Sequence, residues 1–423
     1  MTRRLLFLQG VASPFFARLG DHLRAAGEHV SRLNFCGGDA AYWGRRRALS
    51  FRGDASSLND FVERQFAQHD FTDLVLFGSR RPVHRQAIEL AQKSGIRVHV
   101  FEEGYFRPNW LTLERGGVNA ESPLPRDPAW YLEVDPTLPR HRNGEPAPTD
   151  IRVRAAHDLA YHLANAINPL LYRGYRTHRP YTAPTEYAGW IRRFSRLPWY
   201  RRRDERRIHD LLAAGRPYYL LPLQLNGDTQ ITVNSRYGGM PQLIDTVLHS
   251  FAANAPRDTR LVIKNHPLDT GLVDYSSIIT RLERELEIAG RVLYLETGNL
   301  PDLIDHASGM ITVNSTAGMS ALAHRCPTVV LGTAIYDLPG LTFGGRLQEF
   351  WEHHTRPDRH LFQAFRNTVI HTTQVNGDFY TNGGIRMAIA NCDRLLAPVS
   401  PLQRLMERFA PPQLPPRSSE ACR

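Results

Sequence analysis

Lysine is nearly absent from this chain of 423 residues: Lys93 and Lys264 are the only two, so arginine supplies almost all of the 52 basic side chains. Against that background Lys264 reads either as a deliberate choice or as a lone lysine without special meaning. Cysteine is scarce as well. Cys36, Cys326, Cys392 and Cys422 lie far apart with no Cys-x-x-Cys pair, which excludes a disulfide framework and a structural zinc site and leaves free thiols of a reducing compartment. No run approaches the ~20 apolar residues of a spanning helix, and Leu5-Leu-Phe-Leu8 is too short for a signal peptide. The expected location is therefore cytoplasmic, peripheral on the inner face of the inner membrane. Asp-x-Asp, a Gly-x-x-x-x-Gly-Lys-Ser/Thr loop and Gly-x-Ser-x-Gly are all missing. Their absence excludes a metal-held sugar diphosphate of the Asp-x-Asp kind, a P-loop and a nucleophile elbow, so no metal and no cofactor are expected.

What is present is an excess of positive charge, +10 overall, which favours an anionic partner: nucleic acid, acidic lipid headgroups or an anionic substrate. Apolar runs alternate with helical patterns. Leu5 to Leu8, Val30 to Phe35, Asp73 to Phe77 and Arg97 to Phe101 read as strands, with helices over Pro14 to Ala26, Asn59 to Gln68 and His84 to Ser94. A second series runs from Tyr218 to Leu223 through Leu261 to Ile263, Arg291 to Leu295 and Met310 to Val313, ending at Thr328 to Leu331. This alternation predicts an α/β fold with two doubly wound, Rossmann-like domains, over 1–205 and 206–398, and a disordered tail over 399–423. Glu121 to Pro148 reads as a long proline-rich loop, and Gly37-Gly38-Asp39 as a turn or a ligand contact.

In such sheets ligands bind beyond the carboxyl ends of the strands. Lys264, Asn265, His266 and Pro267 follow a buried strand at that edge, as do Glu102, Glu103 and Gly104. Asn314, Ser315 and Thr316 run from a strand into a helix whose N-terminus suits a phosphate or is the plain capped start of a helix in an α/β domain. His266 is read as a phosphate donor or as a structural histidine. The adjacent glutamates are read as acid, base or nucleophile, or as solvated loop charges. Tyr105 and Arg107 stand near enough to assist, Arg107 by clamping a substrate carboxylate or by neutralising the glutamates. Trp190 to Arg207, where aromatics alternate with arginine clusters, reads as a membrane-surface patch or as a helix packing its aromatics on a domain.

Taken together, Leu8-Gln-Gly-Val-Ala-Ser-Pro-Phe-Phe16, Asn34-Phe-Cys-Gly-Gly-Asp39, Glu102-Glu-Gly-Tyr-Phe-Arg-Pro108, Leu223-Gln-Leu-Asn-Gly-Asp228, Lys264-Asn-His-Pro267 and Asn314-Ser-Thr-Ala-Gly318 give a resemblance. The chain resembles the capsular polysaccharide β-Kdo transferases of the KpsS/LipB type from about Leu5 to Ala390. That resemblance implies a GT-B fold, with two domains facing across a cleft, and retaining transfer of Kdo from CMP-β-Kdo to a phosphatidylglycerol-type lipid. It implies Glu102 or Glu103 as the catalytic carboxylate, His266 on the CMP phosphate with Ser315 and Thr316, and Gln9, Gly10 and Gln224 as substrate-side candidates. Leu225 stands where similar sequences have proline after the residue matched by Gln224. The implied partners are a CMP-activated donor, an anionic lipid, and a capsule assembly and export complex containing a second Kdo transferase; nucleic acid is not among them. A glycerophosphotransferase of similar frame and a non-catalytic subunit of that complex are the alternatives.

Overall fold

The computed structural model describes residues 2–141, 143–177, 181–226, 231 and 235–410. Leu5, Leu6 and Phe7 are fully buried and make the centre of strand β1 (Arg4–Phe7). From there the chain alternates as helix α1 (Phe15–Ala25), β2 (His29–Asn34), α2 (Gly37–Trp43), β3 (Leu49–Ser50), α3 (Leu58–His69), β4 (Asp73–Phe77), α4 (Pro82–Lys93) and β5 (Arg97–Glu103). The five strands are parallel and stand in the order β3-β2-β1-β4-β5. Two antiparallel strands extend this sheet, β6 (Trp110–Arg115) beside β5 and β12 (Gln374–Asn376) beside β6. Apolar layers cover both faces, one around Phe15, Phe101 and Phe379, the other around Leu33, Val62 and Ile88.

The second sheet repeats the winding. Strands β7 (Tyr218–Pro222), β8 (Arg260–Lys264), β9 (Val292–Leu295), β10 (Gly309–Thr312) and β11 (Thr328–Val330) are all parallel, in the order β11-β10-β7-β8-β9. Its first strand has the next two on one side and the last two on the other, as β1 does in the first sheet. The expected α/β fold of two doubly wound units is therefore what the chain adopts.

The unit boundaries differ from those expected at 205/206 and 398/399. One compact unit comprises Met1–Leu124, Val134–His178 and Asn367–Ala410, and the other Pro125–Glu133 and Arg179–Arg366. Helix α8 (Ala183–Ala213) belongs wholly to the second unit, because Gly189, Arg193 and Asp204 on one of its faces are buried there. The chain then returns to the first unit. Phe379 lies 5.0 Å from the ring of Phe15 and 5.4 Å from that of Phe77, and Ile385 of the helix Asn382–Leu396 is fully buried beside them. Nor is the start of the expected tail disordered. Ser400 caps a helix over Pro401–Arg408 through its hydroxyl, and Leu402 is buried; residues 411–423 lie outside the described residues. Within the expected loop from Glu121 to Pro148, α5 (Pro128–Val134) buries Trp130 and Tyr131.

Phe379→Ala tests the return of the chain to the first unit. Emptying a fully buried aromatic site is expected to cost about 3–5 kcal/mol in chemical denaturation, and a loss below about 1 kcal/mol would place Phe379 outside that core.

Candidate active site

In the second unit the sequence candidates gather at the carboxyl edge of the sheet. Gln224 follows β7 and Asn314 follows β10, neighbours in the sheet although 90 residues apart in sequence. The Gln224 Nε2 donates to Asn314 Oδ1 at 3.1 Å, and the Asn314 backbone N–H donates back to Gln224 Oε1 at 3.4 Å. The reciprocal pair bridges the point where the strand order reverses, which is where open α/β sheets hold ligands. One strand away, the Asn265 side chain accepts from the His266 N–H (2.8 Å) and donates to Glu296 (3.0 Å). The Leu268 N–H donates to His266 Nδ1 at 3.1 Å. That acceptor role leaves the proton of a neutral His266 ring on Nε2, as a donor.

Ser315 and Thr316 lead into the short helix Ala317–Ala323, but Ser315 uses its hydroxyl internally, accepting from the Ala317 N–H at 3.1 Å. Lys264 departs further from the expectation of a phosphate-binding cation. Its side chain is 5% exposed and its ammonium donates to the Asn265 carbonyl (3.3 Å). Burial, helped by the nearby Arg193 charge and opposed by Asp204, pulls its pKa down to about 8.

The cation that shapes this edge is one that composition concealed. Arg193, a buried arginine of α8, donates to the carbonyls of Pro267 (3.0 Å) and Asp269 (2.7 Å) and pairs with Glu296 at 3.3 Å. Eleven residues along, three turns of helix, Asp204 accepts from the N–H groups of Glu296 (2.9 Å) and Thr297 (3.0 Å). Thus α8 clamps the loops after β8 and β9 from one face. Its other face exposes Ile191, Phe194 and Trp199 among arginines. Of the two expectations for Trp190 to Arg207, the packing on a domain is what the structure shows; the exposed aromatic and basic face is left over from that packing.

In the first unit Gln9 follows β1 and is buried at the corresponding reversal. Its Nε2 lies 3.1 Å from the Tyr161 hydroxyl, 3.2 Å from that of Tyr175 and 3.3 Å from Asp39, and its Oε1 accepts from Arg81 (3.1 Å). Arg81, after β4, also donates to the Gly10 carbonyl at 2.9 Å. Asp39 pairs with the buried Arg32 (2.9 Å) and accepts from the Tyr161 hydroxyl (3.0 Å). Burial, then the Asp39 charge, pushes the Cys36 thiol up to about 12, so it is no nucleophile at neutral pH.

Gly37 and Gly38 do not form the expected turn; they open α2. Their N–H groups donate to Asn168 and Asn165, both at 2.8 Å, so that helix start is occupied by the protein itself.

Glu102 and Glu103 end β5, where the alternation of a strand sends neighbouring side chains to opposite faces. Glu103 pairs with Arg154 of α6 (Ile151–Ala164) at 3.1 Å, whereas a carboxylate oxygen of Glu102 lies 3.6 Å from where a Cβ on Gly78 would stand, beside Arg81. The two carboxylates thus face different groups, although a Glu102 oxygen also accepts from the Glu103 backbone N–H at 3.0 Å. Gly104 serves close approach: a Cβ there would lie 1.8 Å from the Trp110 carbonyl oxygen. Tyr105, expected to assist, is committed elsewhere, its buried hydroxyl donating to Glu114 (2.6 Å). Arg107 is exposed. Among the described residues no cluster of three His, Cys, Asp or Glu side chains is arranged to hold a metal ion, and no helix is long and apolar enough to cross a membrane.

Residues 72–380 match the protein family described as capsule polysaccharide biosynthesis protein. The chain is 36% identical over 379 residues to the capsule polysaccharide export protein KpsS of Escherichia coli, covering 89% of this chain and 97% of that one. It is 37% identical over 385 residues to the capsule polysaccharide modification protein LipB of Neisseria meningitidis serogroup B, covering 89% and 91%. Among solved structures, the β-Kdo 2,7 transferase KpsC of Thermosulfurimonas dismutans aligns with a TM-score of 0.45 at 15% identity, over 93% of this chain and 99% of that one.

Lys264 gives a test by pH. An unfolded lysine titrates near 10.5 and the folded one near 8, so between these values the unfolded state binds more protons and stability rises with pH. Below pH 8 the full cost, about 3 kcal/mol, is present. Lys264→Met is therefore expected to stabilise the protein at pH 7, with the gain fading between pH 8 and pH 10.5 and absent above. A pH-independent difference in denaturation midpoint would contradict the buried amine.

Proposed function

This chain belongs to the capsule polysaccharide biosynthesis family, and on that premise we propose that it is a retaining, metal-independent GT-B glycosyltransferase. It moves Kdo from CMP-β-Kdo to a phosphatidylglycerol-type lipid and so begins the lipid linker of a capsule chain. The observation that carries the reading is the repeated winding of the two sheets. In each, residues singled out by sequence converge on the carboxyl edge at or beside the reversal point: Gln224, Asn265, His266 and Asn314 in one, Gln9 and Glu102 in the other, where Arg81 joins them.

The second unit holds the nucleotide. His266, with Nδ1 already accepting from the Leu268 N–H, presents Nε2–H to a phosphate oxygen of the CMP leaving group. Asn265 and Arg193 fix that loop, so the donor is held by geometry rather than by a free lysine. A monophosphate leaving group carries less charge than a diphosphate, which suits a site with so few cations.

The first unit supplies the carboxylate. Glu103 is neutralised by Arg154, which weakens it as a nucleophile and makes it a positioning residue. Glu102 is the nucleophile in this reading: its oxygen bonds to the anomeric carbon as CMP departs, and the acceptor hydroxyl then displaces it. Two inversions give net retention. The exposed face of α8, with Phe194, Trp199, Arg201 and Arg202, supports attachment to an anionic membrane and a place beside other capsule assembly proteins.

The assay supplies CMP-Kdo, generated in situ, and a fluorescent phosphatidylglycerol analogue to the purified protein, with mass spectrometry of the product. Glu102→Gln is expected to lower transfer about 10³-fold or more, and His266→Ala about 10²-fold. Glu103→Gln is expected to lose about tenfold, as a positioning residue. Equal turnover in all three variants and the wild type would end the assignment of these roles, and the absence of a Kdo-lipid product would end the reaction itself.

A further inference from the structure

Helix α6 and the short α7 (Asn168–Leu171) have their polarity turned inside out. Their polar groups beyond Arg152, with those of the turn between them, face the protein. Arg154 pairs with Glu103, Tyr161 donates to Asp39, and Asn165 and Asn168 accept from Gly38 and Gly37. Facing solvent are large apolar side chains: Ile151 is 62% exposed, Leu159 47%, Leu163 66%, Ile167 43%, Leu170 71% and Leu171 39%. Alanines fill much of the space between them. A surface helix of a water-soluble domain carries the opposite arrangement, and a continuous apolar ridge of this length marks a contact with an apolar phase or partner.

Charge identifies the occupant. Between Ile151 and Thr177 the sole acid is Asp158, mostly buried and 3.8 Å from His162, whereas Arg152, Arg173 and Arg176 stand exposed at the two ends of the ridge; the exposed Asp150 just before it caps α6, accepting from the Arg152 N–H at 2.7 Å. An apolar strip fringed by three exposed arginines against one exposed acid fits a bilayer bearing anionic headgroups: the leucines enter the acyl boundary while the arginines stay at phosphate level. We propose that the α6–α7 ridge is a membrane-inserting element of the first unit, seated on anionic lipid. Arg154 and Tyr161 fasten this element directly to Glu103 and to the Gln9–Asp39 network. The carboxyl edge of the first sheet is thereby held next to the surface from which a lipid acceptor is drawn. The identity of that acceptor rests on the function proposed above; the surface itself does not.

The test uses the full chain and vesicles of phosphatidylcholine, with or without one third phosphatidylglycerol, and needs neither donor nor turnover. Wild-type protein is expected to co-sediment with the anionic vesicles. A Leu163→Gln, Ile167→Gln, Leu170→Gln variant is expected to bind at least tenfold more weakly with an unchanged thermal midpoint. Failure of the wild type to bind, or wild-type binding by the triple variant, overturns the proposal. So does a dimer in light scattering that the triple variant breaks while vesicle binding persists, since a second copy would then cover the ridge.

Leu163→Trp guards against a variant that fails to fold. Its emission is expected to be quenched by dibrominated phosphatidylglycerol beyond the quenching of the wild-type tryptophans, and equal quenching in vesicle-bound protein counts against insertion. Transfer to a detergent-dispersed acceptor without vesicle binding sinks the surface alone. Vesicle binding without any transfer sinks the reaction alone.

Discussion

Each sheet reverses its winding after its first strand, and the organisation of both units follows from that reversal. When β1 sends the chain to β2 and β3 on one side and the chain later returns to β4 on the other, the connections leave β1 over opposite faces of the sheet. Their loops splay at the carboxyl edge, where open α/β sheets hold ligands. A side-chain amide bridges neighbouring strand ends in both places. Gln9 takes the hydrogen of Arg81 across from β4, and Gln224 exchanges hydrogen bonds with Asn314 across from β10. Glutamine and asparagine suit this position because one amide both donates and accepts, so a single side chain can tie two strands and still offer hydrogen bonds outward.

Around these amides lie charges that would be costly to bury singly. Asp39 is 1% exposed and Arg32 4%, yet Asp39 meets a guanidinium, a phenol and a backbone N–H. Arg193 is equally buried and spends its donors on two carbonyls and Glu296. A buried ion pair contributes little net stability, since desolvation offsets most of the attraction, but breaking one is expensive. What such networks supply is a single allowed arrangement of loops. Here the loops so fixed are the one bearing His266 and the one after β2 that α6 covers.

The parallel strands, apart from the two-residue, half-buried β3, were legible in the sequence because burial on both faces writes continuous apolar runs such as Leu261-Val-Ile263 and Asp73 to Phe77. The antiparallel extension was not. Thr112 and Glu114 on β6 are buried although polar, Thr112 accepting from Gln374 and Glu114 from Tyr105, so β6 lacks the apolar run that marked its neighbours. Three-residue β12 draws its burial from a partner 262 residues upstream, a separation no local pattern encodes. His266 and Asn314 were legible because strand ends are recognisable, whereas Gln224 came only from the family resemblance. Arg193 was missed because it is one of many arginines in its helix, and only the fold shows which of them turns inward.

The same blindness hid the character of α6, whose sequence mixes leucine, histidine and arginine in proportions that suit an ordinary surface helix. Its orientation is set by the partner it meets. A Cβ on Gly37 would stand 2.2 Å from the Ala164 carbonyl oxygen, and one on Gly38 would stand 2.7 Å from the Tyr161 ring, so α6 and the turn after it approach α2 more closely than any other residue there permits. At that distance the face turned inward must be the one that can satisfy two N–H groups and a buried aspartate. Tyr161, Asn165 and Asn168 recur at spacings of four and three, so they share one face, and that face is committed to hydrogen bonding. Leu159, Leu163 and Ile167 recur at spacings of four on another face and cannot be buried at the same time. Their exposure therefore follows from the polar chemistry on the inner side, and whatever phase they enter is coupled through one rigid helix to the carboxylate and amide beneath it.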